Sequence, residues 1–91
     1  MSAKFKIAET KTFSNHIANL EFKQVYNKLS NYVYPQLREN PYFGTNIKKL
    51  KGEYEGIYRY RIGSNRGFYI IDETSRIIYL IDIQKRKDSY K

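Results

Sequence analysis

Hydrophobic and polar positions change period along this chain. Residues 4–9 (KFKIAE) alternate polar and apolar, which predicts a short strand. Phe13, Ile17 and Leu20 then recur at helical spacing, and Phe22, Val25, Leu29, Val33 and Leu37 continue an apolar stripe. Between the two stripes, residues 19–21 are expected to form a turn joining two antiparallel helices. Pro35 lies inside the second stripe, where a missing backbone donor kinks the helix or opens a new turn. Asn40-Pro41 ends the helical region, because a residue before proline avoids the helical well. Residues 42–56 read as a loop punctuated by Gly44, Gly52 and Gly56 and fixed by Leu50. After it the period falls to two. Strands are expected over 57–62, 66–71 and 76–83, with turns at 63–65 and 72–75. Such short turns imply an antiparallel meander.

The element order is therefore β-α-α-β-β-β. It predicts an α+β domain spanning residues 1–91, with two N-terminal helices packed on one face of a twisted antiparallel sheet. Ninety-one residues suffice for one small core. Ten tyrosines and five phenylalanines supply large buried areas without long aliphatic runs. No internal repeat or low-complexity segment interrupts the chain.

Composition narrows the chemistry. The chain has no cysteine, so disulfides, thiolate zinc sites and cysteine nucleophiles are excluded together. No apolar stretch approaches the ~20 residues that span a bilayer, and residues 1–9 lack the apolar run of a secretory signal. A cytoplasmic protein with no membrane partner is expected. The net charge of +8 favours a polyanion, either nucleic acid or an acidic protein. The basic excess falls mainly on the C-terminal half, with eleven Lys/Arg against six acids from Asn46 onward.

Candidate chemistry follows from alternation in the strands. In Tyr58-Arg59-Tyr60-Arg61-Ile62 the tyrosines and Ile62 share one face and the two arginines the other. Arg66 opens the next strand, and Arg86 follows the last. Folding the meander is expected to gather these four arginines on one exposed surface, where permanently charged guanidinium groups clamp phosphate oxygens. Lys48, Lys49 and Lys51 form a second basic patch, and Lys85 to Lys87 a third, with Tyr90 close behind. Other constellations are poor. His16, the lone histidine, reads as structural. Ligands for a metal are lacking. Neither a nucleophile elbow nor a phosphate-binding or dinucleotide-binding glycine loop occurs. No cofactor and no small-molecule substrate are expected.

Taken together, Lys48-Lys49-Leu50-Lys51-Gly52, Tyr58-Arg59-Tyr60-Arg61-Ile62-Gly63, Arg66, Tyr69 and the closing Arg86-Lys87-Asp88-Ser89-Tyr90 resemble the signature of the RelE/ParE toxin superfamily. Residues 35–41 (PQLRENP) are similar to one RelE-like branch. The resemblance implies the same α+β fold and a toxin of a toxin–antitoxin module. RelE-like members cleave mRNA in the ribosomal A site without a metal. ParE-like members poison DNA gyrase, and both are silenced by a cognate antitoxin. Matched residue by residue, Arg61 and Arg86 would stabilise charge on the scissile phosphate, with Arg59 or Arg66 assisting. Tyr90 and Lys85 would handle protons, and Lys48, Lys49 and Lys51 would hold RNA. The resemblance therefore implies mRNA, the ribosome and an antitoxin as partners. Its alternatives are a gyrase inhibitor or a non-catalytic RNA- or ribosome-binding module. Two positions depart from the pattern. Many relatives have histidine where this chain has Lys85, and an aromatic residue where it has Asn65.

Overall fold

The computed structural model describes residues 4–19 and 22–85. It runs β1 (Lys6–Glu9), α1 (Lys11–Ile17), α2 (Lys23–Lys28), a π-helical turn (Leu29–Val33), α3 (Tyr34–Glu39), β2 (Ile47–Lys49), β3 (Tyr58–Ile62), β4 (Asn65–Asp72) and β5 (Ile77–Lys85). A 3₁₀ turn, Gly52–Tyr54, lies between β2 and β3. The strands form one sheet in the order β1-β5-β4-β3-β2.

The expected meander is present as β3, β4 and β5, all antiparallel. Two parts of the expected sheet need correction. β1 joins β5 in parallel, with Ile7 opposite Ile78, so the sheet is mixed rather than wholly antiparallel. A parallel pair needs a long crossover, and the helices and the meander between the two strands supply it. The second correction is β2. Ile47–Lys49 falls in the expected loop, yet it pairs with β3 and extends the sheet. Three residues are too few for a two-residue period to register.

The helices begin at a cap. Thr10 Oγ1 accepts the Phe13 N–H at 3.2 Å, which serves one of the unpaired donors of the first turn of α1. Farther on, α2, the π-helical turn and α3 follow one another without a break over residues 23–39. Pro35, in the first turn of α3, neither donates a hydrogen bond nor tolerates the carbonyl four residues behind it. The turn just before it is widened, and the Tyr34 N–H donates to the Leu29 carbonyl, five residues back. The proline is thus absorbed by a π turn that keeps Leu29, Val33 and Leu37 on the buried side.

One face of the sheet packs under the helices. Tyr58, Tyr60 and Ile62 of β3, Tyr69 of β4, and Ile78, Leu80 and Ile83 of β5 meet Phe13, Phe22, Val25, Leu29, Val33, Tyr34 and Leu37. Three of the buried phenols donate to oxygen acceptors. Tyr69 donates to the Pro41 carbonyl at 2.7 Å, Tyr60 to Gln36 Oε1 at 2.6 Å, and Tyr34 to Glu9 Oε2 at 2.9 Å. Arg76, expected to open the last strand, instead takes a left-handed φ of 59° in the turn before β5. Among the described residues, no helix is long and apolar enough to cross a membrane.

Candidate nucleic-acid interface

The other face of the sheet carries no helix-facing core residue, and strand register decides what stands on it. Directly opposed residues share a face. Lys48 stands opposite Arg59, Arg59 opposite Phe68, and Phe68 opposite Asp82. One row along, Arg61 stands opposite Arg66, and Arg66 opposite Gln84. Of the four arginines expected on one surface, Arg59, Arg61 and Arg66 share this face, and Lys48 joins them from β2. Arg61 is exposed, while Arg59 and Arg66 are half-buried.

Other expected site residues part company with this surface. Lys49 is in register with Tyr58, so it belongs to the row that faces the helices. Lys51 is exposed at the start of the β2–β3 connection. Lys85 pairs with Asn65, and Asn65 with Ile62, again in the helix-facing row. Alternation along β5 thus separates Lys85 from the arginines, because Gln84, its neighbour, takes the open face. Arg86 and Tyr90 lie outside the described residues. Asn65 Oδ1 is enclosed and has no hydrogen-bond partner among the described residues.

An irregularity in β5 shapes the middle of the surface. Phe68 pairs with Asp82 but Tyr69 pairs with Leu80, so Ile81 is an extra residue, a β-bulge. Without it, Asp82 would share the parity of the buried Leu80. Instead its carboxylate reaches the edge of the open face. Oδ1 accepts the Ile83 N–H at 2.7 Å and lies 2.5 Å from His16 Nδ1 on α1. Oδ2 accepts Gln84 Nε2 at 3.3 Å. A carboxylate only accepts, so His16 carries its hydrogen on Nδ1 in this contact.

Beside these groups is a concavity of about 330 Å³. Phe68 and Ile81 line it from the sheet, Leu50, Tyr54 and Ile57 from the β2–β3 connection, and Asp82 and Gln84 from its polar end. Leu50, expected to be anchored in the core, is instead half-buried and lines this concavity on the open face. The connection is held down by the Leu50 N–H donating to the Ile57 carbonyl at 2.9 Å. Sequence reasoning missed Phe68, Tyr54 and Gln84 as site residues and set His16 aside. Alternation from Arg66 would have found Phe68. Nothing local announces the bulge that brings Asp82 and His16 together.

The surface can bind a chain of phosphates through its cations and cover flat apolar groups with its aromatic floor. Among the described residues, no cluster of side chains could hold a metal ion.

No protein-family model and no curated protein matches the sequence. Solved structures do. The RelBE2 toxin–antitoxin complex from Mycobacterium tuberculosis contains a chain with a TM-score of 0.71 at 19% identity, covering 91% of this chain and 99% of that one. The YoeB/ParE toxin from Agrobacterium tumefaciens gives 0.70 at 18% identity, with 89% and 98% covered. YafQ from Escherichia coli gives 0.69 at 12% identity, with 97% and 100% covered. Helices packed on one face of a five-stranded mixed sheet are the fold that this chain shares with the RelE-like toxins.

Proposed function

We propose that residues 1–91 form a toxin domain of the RelE/ParE superfamily, which cleaves mRNA on the ribosome and is neutralised by a cognate antitoxin. The single observation that carries this reading is the row geometry of the open face. Arg59, Arg61 and Arg66 stand on adjacent strands of a RelE-like fold, on the side that the helices leave uncovered. The solved relatives include toxins bound to their antitoxins, from Mycobacterium tuberculosis and from Pyrococcus horikoshii. An acidic antitoxin segment would answer the +8 net charge of this chain.

In the proposed reaction the RNA 2′-hydroxyl attacks the adjacent phosphorus. Its proton is removed, the bond to the 5′-oxygen breaks, and that oxygen is protonated. The products are a 2′,3′-cyclic phosphate and a 5′-hydroxyl end. Arg61 and Arg86 stabilise the added charge on the phosphate, with Arg59 and Arg66 alongside. Fixed donors of this kind are worth ~3–4 kcal/mol each. With Lys85 in the opposite row, proton transfer falls to Tyr90 in this proposal. Phenol has a high ordinary pKa, which neighbouring guanidinium groups lower.

Induction in cells followed by mapping of mRNA 5′ ends tests the proposal. Cuts inside translated codons are expected. Intact mRNA with broken chromosomes would instead identify a gyrase poison, and RNA binding without cuts a non-catalytic module.

A further inference from the structure

We propose that the concavity beside the arginines is a base-reading pocket that seats an adenine of the bound RNA. The inference rests on the reading that the open face binds RNA. Its carrying observation is an interleaving of two chemistries. Phe68, on the pocket floor, has Arg59 as its direct cross-strand neighbour, and Gln84, at the polar end, has Arg66. Side chains so opposed start ~4.5–5.5 Å apart at Cβ. A ligand that fills the pocket therefore places whatever is attached to it among guanidinium groups. A nucleotide has this form, a flat ring joined to a phosphate.

The walls suit the ring. Leu50, Ile57 and Ile81 are aliphatic, and Phe68 and Tyr54 add aromatic surface, on which bases stack irrespective of sequence. About 330 Å³ leaves room for a purine.

The polar end supplies the choice among bases. Asp82 Oδ2 accepts one Gln84 N–H, so the carboxamide keeps one acceptor oxygen and one further N–H. That pair complements adenine, which offers an amino donor beside a ring-nitrogen acceptor. The Asp82 carboxylate next to it favours an amino group over a carbonyl oxygen. Asp82 is itself held by His16 and the Ile83 N–H, so the reading group is braced from α1 as well as from β5. His16 acts in this scheme as a positioning residue.

The test is binding of 2′-O-methyl hexa-adenylate and hexa-uridylate, neither of which can be cleaved, to the full chain. Both carry the same phosphates, so the arginines contribute equally to each. Adenylate is expected to bind about tenfold more tightly. Gln84→Ala, at an exposed position that leaves the core intact, brings the ratio to about one. Phe68→Leu weakens adenylate more than uridylate. Equal wild-type affinities, or a ratio that Gln84→Ala leaves in place, overturn the pocket while the phosphate-binding face stands. Absence of binding to both oligomers overturns the face together with the pocket, and leaves a protein partner as its occupant. Adenine-selective binding with no cuts in cellular mRNA supports the pocket and removes the nuclease reading.

Discussion

Arg61 on β3 stands directly opposite Arg66 on β4. Like charges in this position repel, and opposed pairs change sheet stability by ~0.2–1 kcal/mol. A sheet selected for stability alone would place threonine or a carboxylate at one of the two sites. On the proposed reading, the pair stands there to bind phosphate rather than to stabilise the sheet. Arg61→Thr is therefore expected to leave thermal stability unchanged or raise it, while abolishing growth arrest on induction. A variant that melts earlier, or one that still arrests growth, contradicts this account.

The contact between His16 and Asp82 joins α1 to the bulged part of β5. About half of the His16 side chain is exposed, so solvent screens the pair. A double-mutant cycle with His16→Ala and Asp82→Asn is expected to give a coupling of ~0.5–1 kcal/mol at low salt, falling as salt is added. A coupling near zero at every ionic strength would mean that α1 is held by its apolar contacts and the Thr10 cap alone.

Tyr69 is fully buried, and its hydroxyl serves a backbone carbonyl at the end of the helical region, that of Pro41. Its ring stacks on Tyr58 with centroids 5.4 Å apart. Tyr69→Phe keeps the stacking and removes the donor, which leaves a buried acceptor without its partner. A loss of ~1–2 kcal/mol in denaturant-derived stability is expected, with the m-value unchanged. Tyr69→Leu removes the ring contact as well and should cost more than Tyr69→Phe.

The fold was legible wherever side chains repeat at one period for long enough. Phe13, Val25, Leu29, Val33 and Leu37 marked the helices, and alternation through Tyr58-Arg59-Tyr60-Arg61 marked both the buried and the basic face. Pairing was not legible at the edges. Ile47-Lys48-Lys49 is too short to show a period, and nothing in Lys6–Glu9 says that its partner strand runs parallel. The arginine rows were recoverable because a two-residue period fixes the face. Lys85 falls in the helix-facing row, a placement that its match to the histidine position of the toxin pattern does not reveal. The Ile81 bulge shifts parity through tertiary packing, so the link from Asp82 to His16 and Gln84 emerged only in three dimensions.

The tyrosines predict how the protein fails in alkali. Burial, and then the Glu9 carboxylate that accepts its hydroxyl, push the Tyr34 phenol far above its ordinary value of 10.0. Burial does the same for Tyr69. Unfolding returns both to about 10. Below that pH both states hold the protons, and the stabilising difference is fully present. Above it the unfolded chain releases protons that the folded chain retains, so stability falls with each further rise in pH. Phenolate absorbance is thus expected to level off short of the ten tyrosines in the sequence as pH passes 11. The remainder should ionise together with the loss of far-ultraviolet circular dichroism. Glu9→Gln removes the carboxylate that helps raise Tyr34, so it narrows the gap between the folded and unfolded values and should make the fall of stability with rising pH shallower. Ten phenols ionising reversibly in a single step near pH 10, with the dichroism intact, would mean that Tyr34 and Tyr69 are open to water.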